Sequence, residues 1–220
     1  MNIDSFKSIL KFCETNKVEL LAVSKTKPAD DIQNLYDAGQ RNFGENRVQE
    51  LLSKKDLLPK DIQWHLIGHL QTNKVKFIAP FIFMIQSVDS VKLLSEINKQ
   101  AALCNRKINC LLQVYVATEE TKFGFDKTEV KSLLNDAAFQ AMKNICIKGL
   151  MGMASNTTDE NQIHAEFNEL KILFNDLALL KNENCDFKIL SMGMSSDYKI
   201  AVEEGSTMIR IGSSLFGNRV

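Results

Sequence analysis

One lysine stands at the end of a run that otherwise avoids charge. Residues 19–24 read ELLAVS, a short apolar strand charged only at its first position, and Lys25 follows at once. An ammonium is costly to desolvate. A lysine delivered by a buried strand therefore either reaches back to water along its stem or loses charge and becomes a nucleophile toward carbonyls. Lys27 is the nearest rival, but Pro28 biases it toward an extended, outward conformation. Two other stretches could grip an anion. MGMSSD (192–197) and IGSS (211–214) each set glycine and serine just ahead of a helix, where backbone amides, hydroxyls and the helix dipole favour phosphate. A serine in that position also serves as a simple helix cap. Arg210 is the third element. It lies in an apolar strand on the same face as Met208, and a guanidinium there needs an anion or a good acceptor, for which Glu45 or Glu50 could serve within the chain.

An amine, a phosphate cup and a guanidinium together suggest pyridoxal 5'-phosphate. Its aldehyde forms an imine with lysine, its phosphate suits the glycine and serine loops, and its pyridine nitrogen would face the arginine. Because arginine holds its proton, a ring nitrogen facing it stays unprotonated. That weakens the ring as an electron sink.

For these residues to meet, the elements between them must bring widely spaced positions to one place. Residues 3–15 repeat Ile3, Phe6, Ile9 and Leu10 at helical spacing as a lead-in helix. After the strand ending at Lys25, Pro28 opens a helix that Gly39 stops. Strands are then expected at RNFGEN (41–46), 64–68, 81–87, 108–117, 145–151, 188–193 and 206–212. Helices are expected at 47–54, 73–77, 91–104, 127–141, 159–180 and 196–204, with a final turn at SSLFG. Eight strand and helix pairs imply a parallel sheet and fit a closed (β/α)8 TIM barrel over residues 1–220 as one domain, although an open doubly wound sheet could host the same string. Polar and glycine residues gather at the strands' C-terminal ends: Lys25, Asn46, Gly68, Ser87, Ser191 with Gly193, and Gly212 with Ser213. In a barrel those ends share one mouth, where barrel enzymes place their chemistry.

Composition narrows the partners. Lysine plus arginine equals aspartate plus glutamate at 27 each, which offers no basic stripe for nucleic acid and no polybasic membrane patch. The first residues are charged and helix-periodic rather than a signal core, and no stretch reaches 18 uninterrupted apolar residues, so a cytoplasmic location is expected. Cys13, Cys104, Cys110, Cys146 and Cys185 are scattered and form no C-x-x-C, as suits reduced thiols. His65 and His69 lie four apart but on a strand and its loop, so the spacing does not read as a metal pair, and His164 reads as helix surface. Met151, Met153, Met192 and Met194 read as core or pocket lining.

The blocks AVSKTKP, NFGENRVQE, WHLIGHLQTNK, QSVDS, KGLMGM and LSMGMSSDYKIAVEEGSTMIRIGSSLFGNR resemble, in order, the motifs of the pyridoxal phosphate homeostasis proteins, from Leu21 to Arg219. The resemblance implies an alanine-racemase-like barrel of fold type III with an extra N-terminal helix. By the same resemblance Lys25 carries pyridoxal 5'-phosphate as an internal aldimine, Asn46 lies beside the ring and Arg210 addresses the ring nitrogen. Ser195, Gly212 and Ser213 would hold the phosphate. Three positions depart from the family pattern: Tyr115 replaces a usual asparagine, Thr121 replaces a serine within EETKFG, and Ser213 stands where threonine is common. Glu120 and Lys122 fall in that same family-like stretch, with Lys122 a candidate for a second, weak cofactor contact. The implied role is a carrier that buffers the cofactor in vitamin B6 and amino-acid homeostasis and hands it to apo-enzymes, without an activity of its own. With eight residues after Gly212, the second β-domain that supplies a tyrosine base in alanine racemases is not expected. The alternatives are a pyridoxal enzyme such as an amino-acid racemase, with Tyr115 or Tyr198 as second acid-base group, and a barrel that binds another phosphorylated metabolite without covalent chemistry.

Overall fold

The computed structural model describes residues 2–116, 124–180 and 183–217. Its strands β1 (Glu19–Val23), β2 (Asn42–Glu45), β3 (Gln63–Leu66), β4 (Met84–Val88), β5 (Ile108–Gln113), β6 (Ile145–Met151), β7 (Cys185–Ser191) and β8 (Met208–Ile211) pair in parallel, in chain order, and close on themselves. Helix α1 (Ile3–Asn16) precedes the barrel. Between and after the strands come α2 (Ala29–Asp37), α3 (Val48–Lys55), α4 (Val75–Ile78), α5 (Val91–Leu103), α6 (Lys127–Asn135), α7 (Ala137–Gln140), α8 (Glu160–Ala178), α9 (Tyr198–Glu203) and α10 (Ser213–Phe216). The closed (β/α)8 barrel is therefore the one of the two expected sheet arrangements that the chain adopts.

Strand alternation sets the layers. Leu20 and Ala22 of β1 and Ile209 and Ile211 of β8 join the large apolar cluster between barrel and helices, each fully buried leucine or isoleucine there contributing about 1.5–3 kcal/mol. The residues between them face inward, where Met84, Leu111 and Met151 form a small separate cluster with Ile189 packed on it. Helix α1 starts where the Asn2 side chain accepts the Ser5 N–H at 3.0 Å. It buries Phe6, Ile9 and Cys13, and the Asn2 N–H donates to Leu215 O at 2.8 Å, tying it to α10. Burial pushes the Cys13 thiol up to about 11, and all five cysteines are free. Among the described residues no helix is long and apolar enough to cross a membrane.

Four boundaries differ most from expectation. β4 begins at Met84 rather than 81, because the Phe81 and Ile82 N–H groups still donate to Ile78 O and keep the chain turning. β5 ends at Gln113 rather than 117. Phe125 bridges Val114 in parallel there: the Phe125 N–H donates to Gln113 O and the Tyr115 N–H to Phe125 O. The helix expected over 127–141 breaks into α6 and α7 at Asp136, whose backbone is extended and whose carboxylate accepts the Ala138 N–H at 2.6 Å. β7 starts early, at Cys185. Glu120, Thr121 and Lys122, and Arg219 at the far end of the resemblance, lie outside the described residues.

Candidate functional site

Register decides which side chains can meet. Val23 pairs with Gly44 and Ala22 with Ile211, so Lys25 and Asn46, each two residues past a paired position, emerge just beyond the level of Gly212 at the strands' C-terminal mouth. A cavity of about 680 Å³ opens there, and its lining includes Lys25, Asn46, Ser195, Arg210, Gly212 and Ser213. The six residues expected to form a site thus border one space. Met151, Met153 and Met194 line it too, whereas Met192 is core. Lys27, expected to face outward, also borders the cavity, because its Nζ donates to Phe216 O and Gly217 O at 3.2 Å each.

The turn that carries Lys25 is held from behind the barrel wall. Lys54 of α3 donates to the Ser24 carbonyl at 2.9 Å and pairs with Glu45 Oε1 at 2.8 Å and Glu50 Oε1 at 2.6 Å. The Ser24 hydroxyl donates to Glu45 Oε1 at 2.6 Å, and the Thr26 N–H donates to Glu50 Oε1. Thr26 itself sits at φ +65°, a left-handed conformation that a non-glycine residue keeps only when its surroundings hold it. Glu45 is fully buried, and its Oε2 has no hydrogen-bond partner among the described residues. Burial raises its carboxyl pKa, outweighing the Lys54 and Ser24 hydrogen bonds that lower it. Sequence reasoning missed this clamp. Its legible trace is Lys54 four residues after Glu50 on a helix that buries Val48 and Leu51.

The opposite wall is built differently. Arg210 is buried in β8 and donates through Nη1 to Ser191 O at 2.7 Å and Ser191 Oγ at 2.9 Å, and through Nη2 to Gly152 O at 2.9 Å. The expectation that Glu45 or Glu50 could serve it is corrected. Glu45 shares the outward face of β2 with Phe43 and is taken by Lys54. Burial draws the guanidinium down to about 10, against the raising field of Asp197, so it stays charged at neutral pH. The 193–196 loop packs beside it, with the Arg210 N–H donating to Gly193 O at 2.9 Å. Gly193 has φ +95°, and a Cβ there would meet Ala201 Cβ at 2.6 Å, so both conformation and space call for glycine. Asp197 braces the turn by accepting the Met194 N–H at 2.5 Å. The Gly212 N–H reaches Ser195 Oγ at 3.4 Å, which joins the two loops expected to share an anion.

Other expected positions play supporting parts. Gly68 lets the β3 loop lie against Asn46, whose carbonyl oxygen would be 2.4 Å from an added Cβ. Ser87 turns to that loop and donates to Gly68 O at 2.6 Å rather than lining the cavity. Tyr115 and Tyr198 are not among the described residues that border it, and Tyr198 packs edge-on against Phe12 at 5.2 Å. His65 is fully buried on β3, whereas exposed His69 faces Asp89 at 2.9 Å. His164 pairs with Glu204 at 2.7 Å on α8.

Chemically, the cavity is lined by the lysines Lys25 and Lys27, the desolvated guanidinium of Arg210 and the serines Ser195, Ser196 and Ser213 beside tightly turned backbone. Its volume is that of a small-molecule site, and the donor set suits a phosphorylated ligand with a carbonyl at one end and a ring acceptor near Arg210.

Comparison with known proteins gives the same outline. The family model of the alanine racemase N-terminal domain matches residues 2–220. A pyridoxal phosphate homeostasis protein of Aquifex aeolicus is 38% identical over 217 residues, covering 96% of this chain and 93% of its own. The human pyridoxal phosphate homeostasis protein is 41% identical over 210 residues, 91% of this chain and 76% of its own. Among solved structures, PipY of Synechococcus elongatus with pyridoxal phosphate bound superposes with TM-score 0.81 at 36% identity, covering 91% of this chain and 93% of that one. Alanine racemase of Bartonella henselae, at 20% identity and TM-score 0.71, shares the fold over 99% of this chain and 60% of its own.

Proposed function

Because this chain belongs to the alanine racemase N-terminal domain family and, within it, to the pyridoxal phosphate homeostasis proteins, we propose that it binds pyridoxal 5'-phosphate in the barrel mouth. There it buffers the cofactor in the cytoplasm and releases it to apo-enzymes that need it. The observation that carries the reading is the meeting of Lys25, Arg210 and the two serine-bearing loops on one cavity.

When bound, the cofactor supplies an electrophilic aldehyde that condenses with a primary amine, with loss of water. Lys25 is the residue assigned to that link, held in place by the Glu45, Lys54 and Glu50 clamp. Ser195, Ser213 and the backbone at Gly212 are assigned to the phosphate, Asn46 to the ring's flank and Arg210 to the ring nitrogen. A permanently charged donor at that nitrogen leaves no proton there and discourages carbanion chemistry, which favours carriage over turnover. Tyr198, one candidate for a second acid-base group, is engaged in packing instead.

Two measurements test the proposal together. Titrating the protein with pyridoxal phosphate is expected to give a saturable visible band, and steady-state assays across the amino acids are expected to stay well below an ordinary enzyme rate. No saturable binding overturns the cofactor assignment. Turnover above roughly 1 s⁻¹ overturns the carrier role in favour of a racemase or related enzyme.

A further inference from the structure

Arg210 sits at the head of a continuous file of buried side chains. Its Nη1 donates to Ser191 Oγ at 2.9 Å, and Ser191 Oγ donates to Gln86 Oε1 at 2.7 Å. Gln86 Nε2 faces His65 Nδ1 at 2.9 Å, and His65 Nε2 faces Asn42 Oδ1 at 3.3 Å. Ser191, Gln86 and His65 are each 0% exposed, and Asn42 is the first residue of β2. The file therefore descends from the cavity through the barrel interior toward the opposite mouth.

Donor chemistry gives the file one direction. A guanidinium has no acceptor, so Ser191 Oγ must accept from it and spend its own proton on Gln86 Oε1. That fixes the Gln86 amide with its NH2 toward His65, where Nε2 also lies 3.2 Å from Met208 Sδ. His65 Nδ1 must then accept, which places the ring proton on Nε2, aimed at the Asn42 carbonyl oxygen. Burial alone favours the neutral ring this requires, lowering His65 to about 3. Each contact along the file joins one donor to one acceptor, and reversing any member leaves two donors or two acceptors face to face at a cost of about 1–3 kcal/mol.

We infer that Ser191, Gln86 and His65 are positioning residues for Arg210, a one-way hydrogen-bonded file that fixes the plane of its guanidinium toward the cavity. The file deepens the proposed function, on which it rests only for the identity of the ligand that Arg210 meets. Three of the guanidinium's N–H donors are spent on Ser191 and Gly152, and the orientation this imposes governs where the remaining donors point. An apolar replacement at Ser191 leaves the guanidinium on its two backbone carbonyls alone, and one at Gln86 removes the acceptor that fixes the Ser191 hydroxyl, so either loosens it.

The decisive experiment needs no cofactor. Long-range proton–nitrogen NMR of histidine-labelled protein is expected to show His65 as a single Nε2–H tautomer that does not titrate between pH 5 and 8, and arginine-labelled protein to show Arg210 with slowly rotating Nη groups. In Ser191→Ala and Gln86→Leu, both checked for folding by thermal unfolding, the Arg210 Nη rotation is expected to quicken at least tenfold, while Ser191→Thr restores the slow rotation. A His65 that titrates in that range or holds its proton on Nδ1 overturns the file. Unchanged Arg210 dynamics in both folded variants overturn the positioning role. A second arm reads pyridoxal phosphate: its affinity is expected to fall about tenfold in Ser191→Ala and return in Ser191→Thr. Wild type that fails to bind the cofactor while the NMR result stands defeats the proposed function and leaves the file intact.

Discussion

The two walls of the cavity hold their cations by opposite means. Beside β1 and β2, the Lys25 turn is fixed by charge: Lys54 between Glu45 and Glu50 behind the sheet. Beside β7 and β8, Arg210 is fixed by neutral acceptors, two carbonyls and a hydroxyl, with Asp197 acting on it only through its field. On the first wall the charge is spent inside the protein and stiffens the backbone that presents an amine. On the second, the guanidinium is oriented without being neutralised and keeps its attraction for a ligand. A buried cation without a carboxylate in contact is costly, and that cost is what a bound electron-rich group would offset.

The comparison can be broken at several points. Lys54→Met should have the largest effect. It strands a fully buried carboxylate, and loss of one partner of such a pair costs about 3–5 kcal/mol, read as a lower midpoint in denaturant unfolding. An unchanged midpoint would mean the clamp contributes nothing to stability. Gly193→Ala comes next, because it forces both a left-handed conformation and a close contact with Ala201. A penalty of about 1–3 kcal/mol, shared between stability and cofactor affinity, is the expected reading, and a neutral result would show that the loop can move away from α9.

His65 sharpens the contrast through pH. Its folded pKa near 3 lies below the ordinary 6.5, so between those values the unfolded chain binds the extra proton and stability is lost as pH falls from about 6.5 toward 3. The slope from this group is at most about 1.4 kcal/mol per pH unit. Unfolding at stepped pH should show a shallower acid slope in His65→Gln than in wild type, and equal slopes would mean the ring is charged in the fold. The smallest effect is expected at Ser195→Ala, where losing one hydroxyl should weaken pyridoxal phosphate about fivefold, or ~1 kcal/mol. An unchanged titration would remove Ser195 from the phosphate site.

Much of the barrel was legible because strand and helix signals alternate cleanly, and strand-end residues such as Lys25, Asn46 and Gly212 can be placed at one mouth once the strands are parallel. The break at Asp136 was hidden within a helical pattern, although Asn135 and Asp136 are a stop-and-cap pair in hindsight. The early end of β5 was hidden because Val114, Tyr115 and Val116 keep strand-forming chemistry beyond Gln113, and only the return of Phe125 shows where pairing stops. Within the cavity, single positions were readable but their supports were not. Arg210 advertised a buried guanidinium, yet its acceptors are carbonyl oxygens of Ser191 and Gly152, which every residue type carries alike. Lys54 did not stand out, because periodicity alone cannot tell that two carboxylates converge on it. His65 and Gln86 gave no signal, since they meet only when β3 and β4 are laid side by side.

The most direct test is borohydride reduction of protein equilibrated with pyridoxal phosphate, followed by intact mass and peptide mapping, in wild type and Lys25→Ala. One cofactor added at Lys25 in wild type, and loss of that adduct from the folded variant, is the predicted result. A reduced adduct at Lys27 in wild type, or a Lys25→Ala protein as yellow as its parent, would contradict the account.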